Sequence, residues 1–501
     1  MTTYIQSTRF LGEVRGRANN GVAQFLGIKY ATLKDRFADA ELVQRHGEDV
    51  LDGTKDGPTT ISPLFGCDLE FSAIQHTLPK KDLLQSEVDC LNLNITIPDT
   101  TTVDSKLPVF AFIHGGGFFI GANSWPQFDY ERFVKLSVDN RLPIVAVSIN
   151  YRLGPFGFLT SDELRKAGYK ANNGLRDQRV ALEWVRMHIS DFGGDPDNIT
   201  VAGMSAGGAS ITYHLDSESP LFRQAILMSG TRFFSHALSY DEHESNYHQA
   251  ILELGLENAT PEERVKTLLG MPGQDLLAKL PPTIKTAPAI DGDIVLSTLT
   301  HAQVADRTSD FPRGKNWCQR LLVGDAQLDK SILVGYGFTA EAADEVAFSA
   351  ILDYLTDVFA LAPVLTYAQG WKGRAHVYYF NEGNPWDGPF KGRASHILDL
   401  AYLFQNFREF LTPDQEMVGA TFAVDFFKFC HGIEPWPAVL GGDIQKGFTA
   451  RTYGPSSQGS VAGLVPQAYG GESQRRSTLF DLSDKVSLDE LASVGTLFLT
   501  M

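Results

Sequence analysis

Six short segments of this chain are apolar at almost every position. Residues 107–113 read L-P-V-F-A-F-I and 143–149 read P-I-V-A-V-S-I. Residues 199–202 read I-T-V-A, 225–228 A-I-L-M, 321–323 L-L-V and 375–380 A-H-V-Y-Y-F. Strands covered on both faces look like this, because neither face has to meet water. His376, inside the last run, reads as a packing residue. Between the second and third runs the period changes. Val180, Trp184 and Met187 recur at i, i+4 and i+7, which predicts a helix over 177–189 with those three on its buried side. Residues 11–17 and 22–30 flank Asn19-Asn20-Gly21, a hairpin signal. A late amphipathic helix is predicted over 414–430, and the Gly/Ser-rich stretch 456–463 reads as a surface loop. Strand, helix, strand, turn and helix in that order predict an α/β fold with a mostly parallel central sheet flanked by helices.

Composition changes this picture in only a few places. The chain has 501 residues, 43% of them hydrophobic, and a net charge of −17. An acidic surface disfavours nucleic acid and anionic membranes as partners. No linker, low-complexity run or repeat divides the sequence, so residues 1–501 read as one domain. Residues 231–313 turn to charged helices and loops and read as an insertion. The first residues lack an apolar leader, and no apolar run of about 18 residues is evident. The expectation is therefore a cytoplasmic protein without a membrane span. The four cysteines, Cys67, Cys90, Cys318 and Cys430, lack metal-ligand spacing, so no metal is expected, and the glycine motifs do not form a dinucleotide fingerprint, so no other cofactor is expected. Oligomeric state is not legible.

The chemistry gathers at residues 192–208, F-G-G-D-P-D-N-I-T-V-A-G-M-S-A-G-G. A turn leads into the 199–202 strand, and Gly203-Met204-Ser205-Ala206-Gly207 follows at once. A strand turning directly into a helix holds the middle residue on a strained, exposed corner. Flanking glycines leave room for the backbones that meet there. The Ala206 N–H then begins a helix, where it can face a developing oxyanion. Upstream, the 107–113 run ends in His114-Gly115-Gly116-Gly117, whose glycines let amide groups turn toward a ligand. His114 reads as structural.

These stretches resemble the type B carboxylesterases, the α/β-hydrolases that include cholinesterases and several fungal lipases. Residues 25–31 (F-L-G-I-K-Y-A), Arg36-Phe37, 86–94 (S-E-V-D-C-L-N-L-N), 150–158 (N-Y-R-L-G-P-F-G-F), 288–292 (P-A-I-D-G) and 392–404 (G-R-A-S-H-I-L-D-L-A-Y-L-F) carry the same resemblance. It implies an α/β-hydrolase fold with the 231–313 insertion over the catalytic face, acting on a small-molecule ester. Ser205 would be the nucleophile and His396 the base. The family's G-x-x-x-D-E-G segment aligns with 324–330, which puts Asp329 at the position of the usual glutamate; Asp325 is the alternative, and Leu328 and Lys330 depart from the pattern. The chain order Ser205, Asp329, His396 is the one this fold uses. Gly116, Gly117 and Ala206 would form the oxyanion hole, and Ser229 would support the nucleophile.

In relatives a disulfide closes the loop matching Cys67–Cys90; two free thiols are the alternative here. Phe118, Phe119, Trp125 and Phe404 either line an apolar substrate pocket or belong to the core. The 67–90 loop lacks the tryptophan with which cholinesterases hold a quaternary ammonium, so choline esters are disfavoured. Acyl transfer or a biosynthetic cyclisation on the same triad is the main alternative to hydrolysis; a long-chain lipase and a non-catalytic scaffold are further ones.

Overall fold

The computed structural model of the chain describes residues 2–45, 50–281, 283–331, 345–439, 447–466, 479, 482–483 and 485–500. The strands are β1 (Thr2–Ser7), β2 (Glu13–Asn19), β3 (Val22–Lys29), β4 (Ala31–Thr32), β5 (Glu41–Leu42), β6 (Val50–Asp52), β7 (Asn92–Pro98), β8 (Leu107–Ile113), β9 (Val145–Ile149), β10 (Gly194–Met204), β11 (Gln224–Met228), β12 (Arg320–Ala326), β13 (Arg374–Phe380), β14 (Ala450–Tyr453) and β15 (Ala462–Val465). One large sheet has the order β1-β2-β3-β7-β9-β8-β10-β11-β12-β13-β14-β15, with β6 beside β2. β4 and β5 form a separate ribbon. From β9 across to β14 every neighbouring pair is parallel. Antiparallel pairs close both edges. All six apolar runs lie in this parallel block. This is the α/β-hydrolase arrangement, a mostly parallel central sheet with helices on its faces.

Alternation within each strand divides the interior in two. Val109, Ala111 and Ile113 of β8 join one core with Val201, Leu227, Leu321 and the helix Asn173–His188. Phe110 and Phe112 join another with Ala202, Met204, Ile226 and the helices Glu131–Asp139 and Pro413–Cys430. The predicted hairpin forms between β2 and β3. Asn19 pairs with Val22, and Asn20 and Gly21 both take positive φ, as a two-residue primed turn requires.

Four local expectations change. In the helix Asn173–His188 the buried stripe runs through Ala181, Trp184, Val185 and His188, and Met187 is 38% exposed. The stripe is centred one position away from the apolar letters, because His188 packs inside against Trp184 with ring centroids 4.7 Å apart. Residues 456–463 are not all loop, since a 3-10 turn at Ser456–Gln458 is followed by β15, which pairs antiparallel with β14. An apolar helical run long enough to cross a membrane does exist, Val346–Gly370, although its apolar 18-residue stretch is 67% buried in the fold. It packs on β12 and β13 as a core helix.

The possible disulfide is also absent. Cys67 and Cys90 are both free and buried. Cys67 sits on the helix Gly66–Ile74 among the Phe71, Trp125 and Phe128 core, whereas Cys90 belongs to the opposite core. Burial pushes both thiols up to about 12. Between β11 and β12 the chain forms the helices Tyr240–Glu253, Pro261–Gly270, Gly273–Lys279 and His301–Ala305. Capping boxes start three of them, at Ser239/Glu242, Thr260/Glu263 and Thr300/Gln303.

Candidate active site

β10 runs into the helix Ala206–His214 with a single residue between them, Ser205, at φ 55° and ψ −121°. A side chain rarely adopts this conformation, and it persists only where the surroundings impose it. The Ser205 N–H donates to Met228 O at 2.9 Å, and its carbonyl accepts from the Ala209 N–H at 2.9 Å. Glycine is required on both sides. A Cβ at Gly203 would stand 2.5 Å from the Gly207 carbonyl, one at Gly207 2.0 Å from Ile113 O, and one at Gly230 2.0 Å from Ser205 O.

The glycine loop after β8 comes up beside this corner. Gly116 and Gly117 take φ +97° and +63°, and the Gly116 carbonyl accepts from the N–H groups of Phe119 and Ile120 at 3.0 Å. Among the described residues nothing accepts from the N–H of Gly116, Gly117 or Ala206. His114 is buried beneath the loop, its ring stacked 4.5 Å from that of Tyr151, and burial pulls its pKa down to about 4. Its Nδ1 lies 2.9 Å from the Gly115 carbonyl oxygen. His376 packs between Phe429 and Trp436 within β13.

The third part lies after β12. Asp325 is inside that strand and fully buried, while Asp329 starts the turn Asp329–Ser331 beyond it. Asp329 Oδ1 lies 3.0 Å from His396 Nδ1, and Oδ2 accepts from the Ala326 N–H at 3.0 Å. The segment carrying His396 is pinned to the same turn. Leu328 N–H donates to Ala394 O at 2.7 Å, and His396 N–H donates to Ser331 Oγ at 2.9 Å. The Phe234 ring lies parallel to the imidazole, with centroids 5.4 Å apart.

Ser205, His396, Gly116 and Gly117 share one cavity of about 300 Å³, whose other walls are Leu69, Glu70, Ala73, Ile120, Met204, Phe234, Ser235, Lys330 and Ile397. Two of these side chains are ionisable. Glu70 is buried, with Oε2 accepting from Gln127 Nε2 at 2.7 Å, and burial pushes its pKa up to about 7. Lys330 is buried with its ammonium over the Phe234 ring, and burial pulls its pKa down to about 7. Glu70, Phe234 and Ser331 did not stand out in the sequence. The one available signal was Lys330, where the family pattern has glycine.

The four aromatic residues considered for a substrate pocket sit elsewhere. Phe404 is buried between Phe112 and Tyr130, with centroids 5.2 and 4.9 Å away. Phe118 packs on Phe158 at 4.8 Å. Trp125 lies parallel to Phe128, and Phe119 rests against the same core. None lies among the cavity-lining residues. Among the described residues no group of three His, Cys, Asp or Glu is placed to hold a metal.

Comparison with known proteins bears on the family and the fold. The carboxylesterase family profile matches residues 3–310. The para-nitrobenzyl esterase of Bacillus subtilis (strain 168) is 32% identical over 445 residues, covering 81% of this chain and 84% of that protein. Lipase 3 of Yarrowia lipolytica (strain CLIB 122 / E 150) is 27% identical over 469 residues, covering 83% and 86%. A solved structure of a PNB esterase aligns with a TM-score of 0.75 at 27% identity, over 96% of this chain and all of that one.

Proposed function

The chain belongs to the carboxylesterase family and is a carboxylic ester hydrolase, and we propose that it works through an acyl-enzyme formed on Ser205. The observation that carries this reading is the shared cavity. A serine held at a strained strand–helix corner and a histidine bonded to a buried carboxylate open onto the same space.

His396 Nδ1 is committed to Asp329, which leaves Nε2 as the nitrogen that takes the Ser205 proton. As Ser205 Oγ attacks the ester carbonyl, Asp329 fixes the imidazole tautomer and stabilises the imidazolium. The N–H groups of Gly116, Gly117 and Ala206 then meet the oxyanion. Each such donor is typically worth about 100- to 1,000-fold in turnover. His396 next gives its proton to the leaving alcohol. It finally activates the water that releases the acid and frees Ser205. The remaining wall residues suit esters of moderate size with an apolar portion.

Hydrolysis of a short-chain p-nitrophenyl ester tests the assignment. Ser205→Ala should abolish it while leaving the thermal transition in place, and full activity in that variant would refute it.

A further inference from the structure

We propose that Lys330 is a specificity residue, seating an anionic oxygen group in the cavity so that the enzyme prefers esters bearing a free carboxylate. This rests on the esterase reading of the same cavity.

Among the described residues no carboxylate lies within ion-pair distance of the Lys330 ammonium. Lys330 is 4% exposed and contributes to the cavity wall. Its Nζ lies 3.8 Å from the centre of the Phe234 ring and 4.7 Å from that of Phe359. Among the described residues no acceptor takes its hydrogens. The charge of Asp329, its chain neighbour, offsets part of the burial, yet both carboxylate oxygens of Asp329 are engaged, one by His396 and one by the Ala326 N–H.

Two aromatic faces compensate a buried cation only in part. The rest of the penalty appears in the lowered pKa, about 7. A ligand carboxylate entering the cavity would supply the missing partner and hold the ammonium charged. Glu70, the other ionisable wall residue, does not fill that role: no ion pair joins it to Lys330, and one of its oxygens is taken by Gln127. Burial favours its neutral form, so it repels an anion weakly. His236 also feels the Lys330 charge. Leu69, Ala73, Ile120, Met204 and Phe234 make the remaining wall largely apolar. The matching ligand has a short alkyl portion ending in a carboxylate, as in a hemiester of a dicarboxylic acid or an ester of a hydroxy acid.

The test pairs esters of equal length. Monoethyl glutarate against ethyl pentanoate places the carboxylate on the acyl side. The butanoate ester of 3-hydroxypropanoate against propyl butanoate places it on the alcohol side. In at least one pair the ratio of kcat/KM, charged over neutral, should fall about 10- to 100-fold in Lys330→Met, the range of one charge-assisted hydrogen bond. An unchanged ratio in both pairs would overturn the proposal. Binding of the same four esters to Ser205→Ala, measured by calorimetry with and without Lys330→Met, needs no turnover. The charged ester of one pair should bind more tightly than its neutral partner, and Lys330→Met should remove the difference. Equal affinities throughout would overturn the seat, whereas hydrolysis surviving in Ser205→Ala would overturn only the nucleophile assignment.

Discussion

Two walls of the cavity are built by different means. The wall carrying Ser205 is backbone against backbone: Gly115, Gly203, Gly207, Gly208 and Gly230 each leave less than 3 Å between an added Cβ and a main-chain atom. The wall carrying His396 is held by pins between loops, reaching 65 residues from Ser331 and 67 from Asp329. Where main chains touch, only glycine fits, and the requirement is written in consecutive letters. Where a few hydrogen bonds hold a side chain, common residue types suffice and the sequence around them is free to vary. The family profile matches 3–310, the part that holds the first wall, while Asp329 and His396 lie beyond it.

The largest expected effect breaks the first wall. Gly207→Ala brings a methyl to 2.0 Å from the Ile113 carbonyl oxygen. Backbone cannot move aside there without pushing the helix Ala206–His214 off the end of β8. The variant should lose at least about 4 kcal/mol, beyond ordinary overpacking, and fail to give a cooperative thermal transition at the wild-type temperature. A wild-type melt would show that this wall tolerates a side chain.

The second wall should fail differently, losing activity while keeping its fold. Asp329→Asn should lower kcat about 10,000-fold, because an amide favours the wrong imidazole tautomer, with little change in melting temperature. Asp325→Asn should retain most of the activity, since the contact to His396 comes from Asp329. The reverse result would move the acid to Asp325.

Glu70 lines the cavity apart from these two walls, and its effect is smaller and dependent on pH. In the unfolded chain it titrates near 4.5, and in the folded protein near 7. Below both values each state holds the proton. Between them the unfolded chain releases it while the fold retains it, so stability falls as pH rises, by roughly 3 kcal/mol over that window. Glu70→Gln should remove this slope from thermal melts recorded between pH 4.5 and 7. An unchanged slope would mean that Glu70 ionises normally.

The same contrast explains what the sequence reveals. Runs such as 107–113 and 225–228 announce strands buried on both faces, and β8 and β11 follow them closely. The Ser205 corner is legible because its glycines are sterically obligatory. Residues 321–323 announce only part of β12, which continues through Gly324 and Asp325 to Ala326. That extension puts Asp325 inside a strand and leaves Asp329 on the turn, a distinction set by pairing with β13. Aromatic letters near the glycine loop suggested a pocket, but Phe118 and Phe404 fill the two cores instead. Cys67 and Cys90 suggested a bridge, but the sheet stands between their environments. Whether a side chain faces core or cavity depends on partners hundreds of residues away, as with Gln75 and Phe390 or Asn384 and Ile74.

One measurement bears most directly on the proposed catalytic center: reaction of the native protein with an organophosphate, followed by intact mass and peptide mapping. A Ser205–His396–Asp329 relay predicts a single adduct per chain, located on Ser205 and suppressed in His396→Ala. No adduct, an adduct on another residue, or labelling of Ser205 at an undiminished rate in His396→Ala would contradict it.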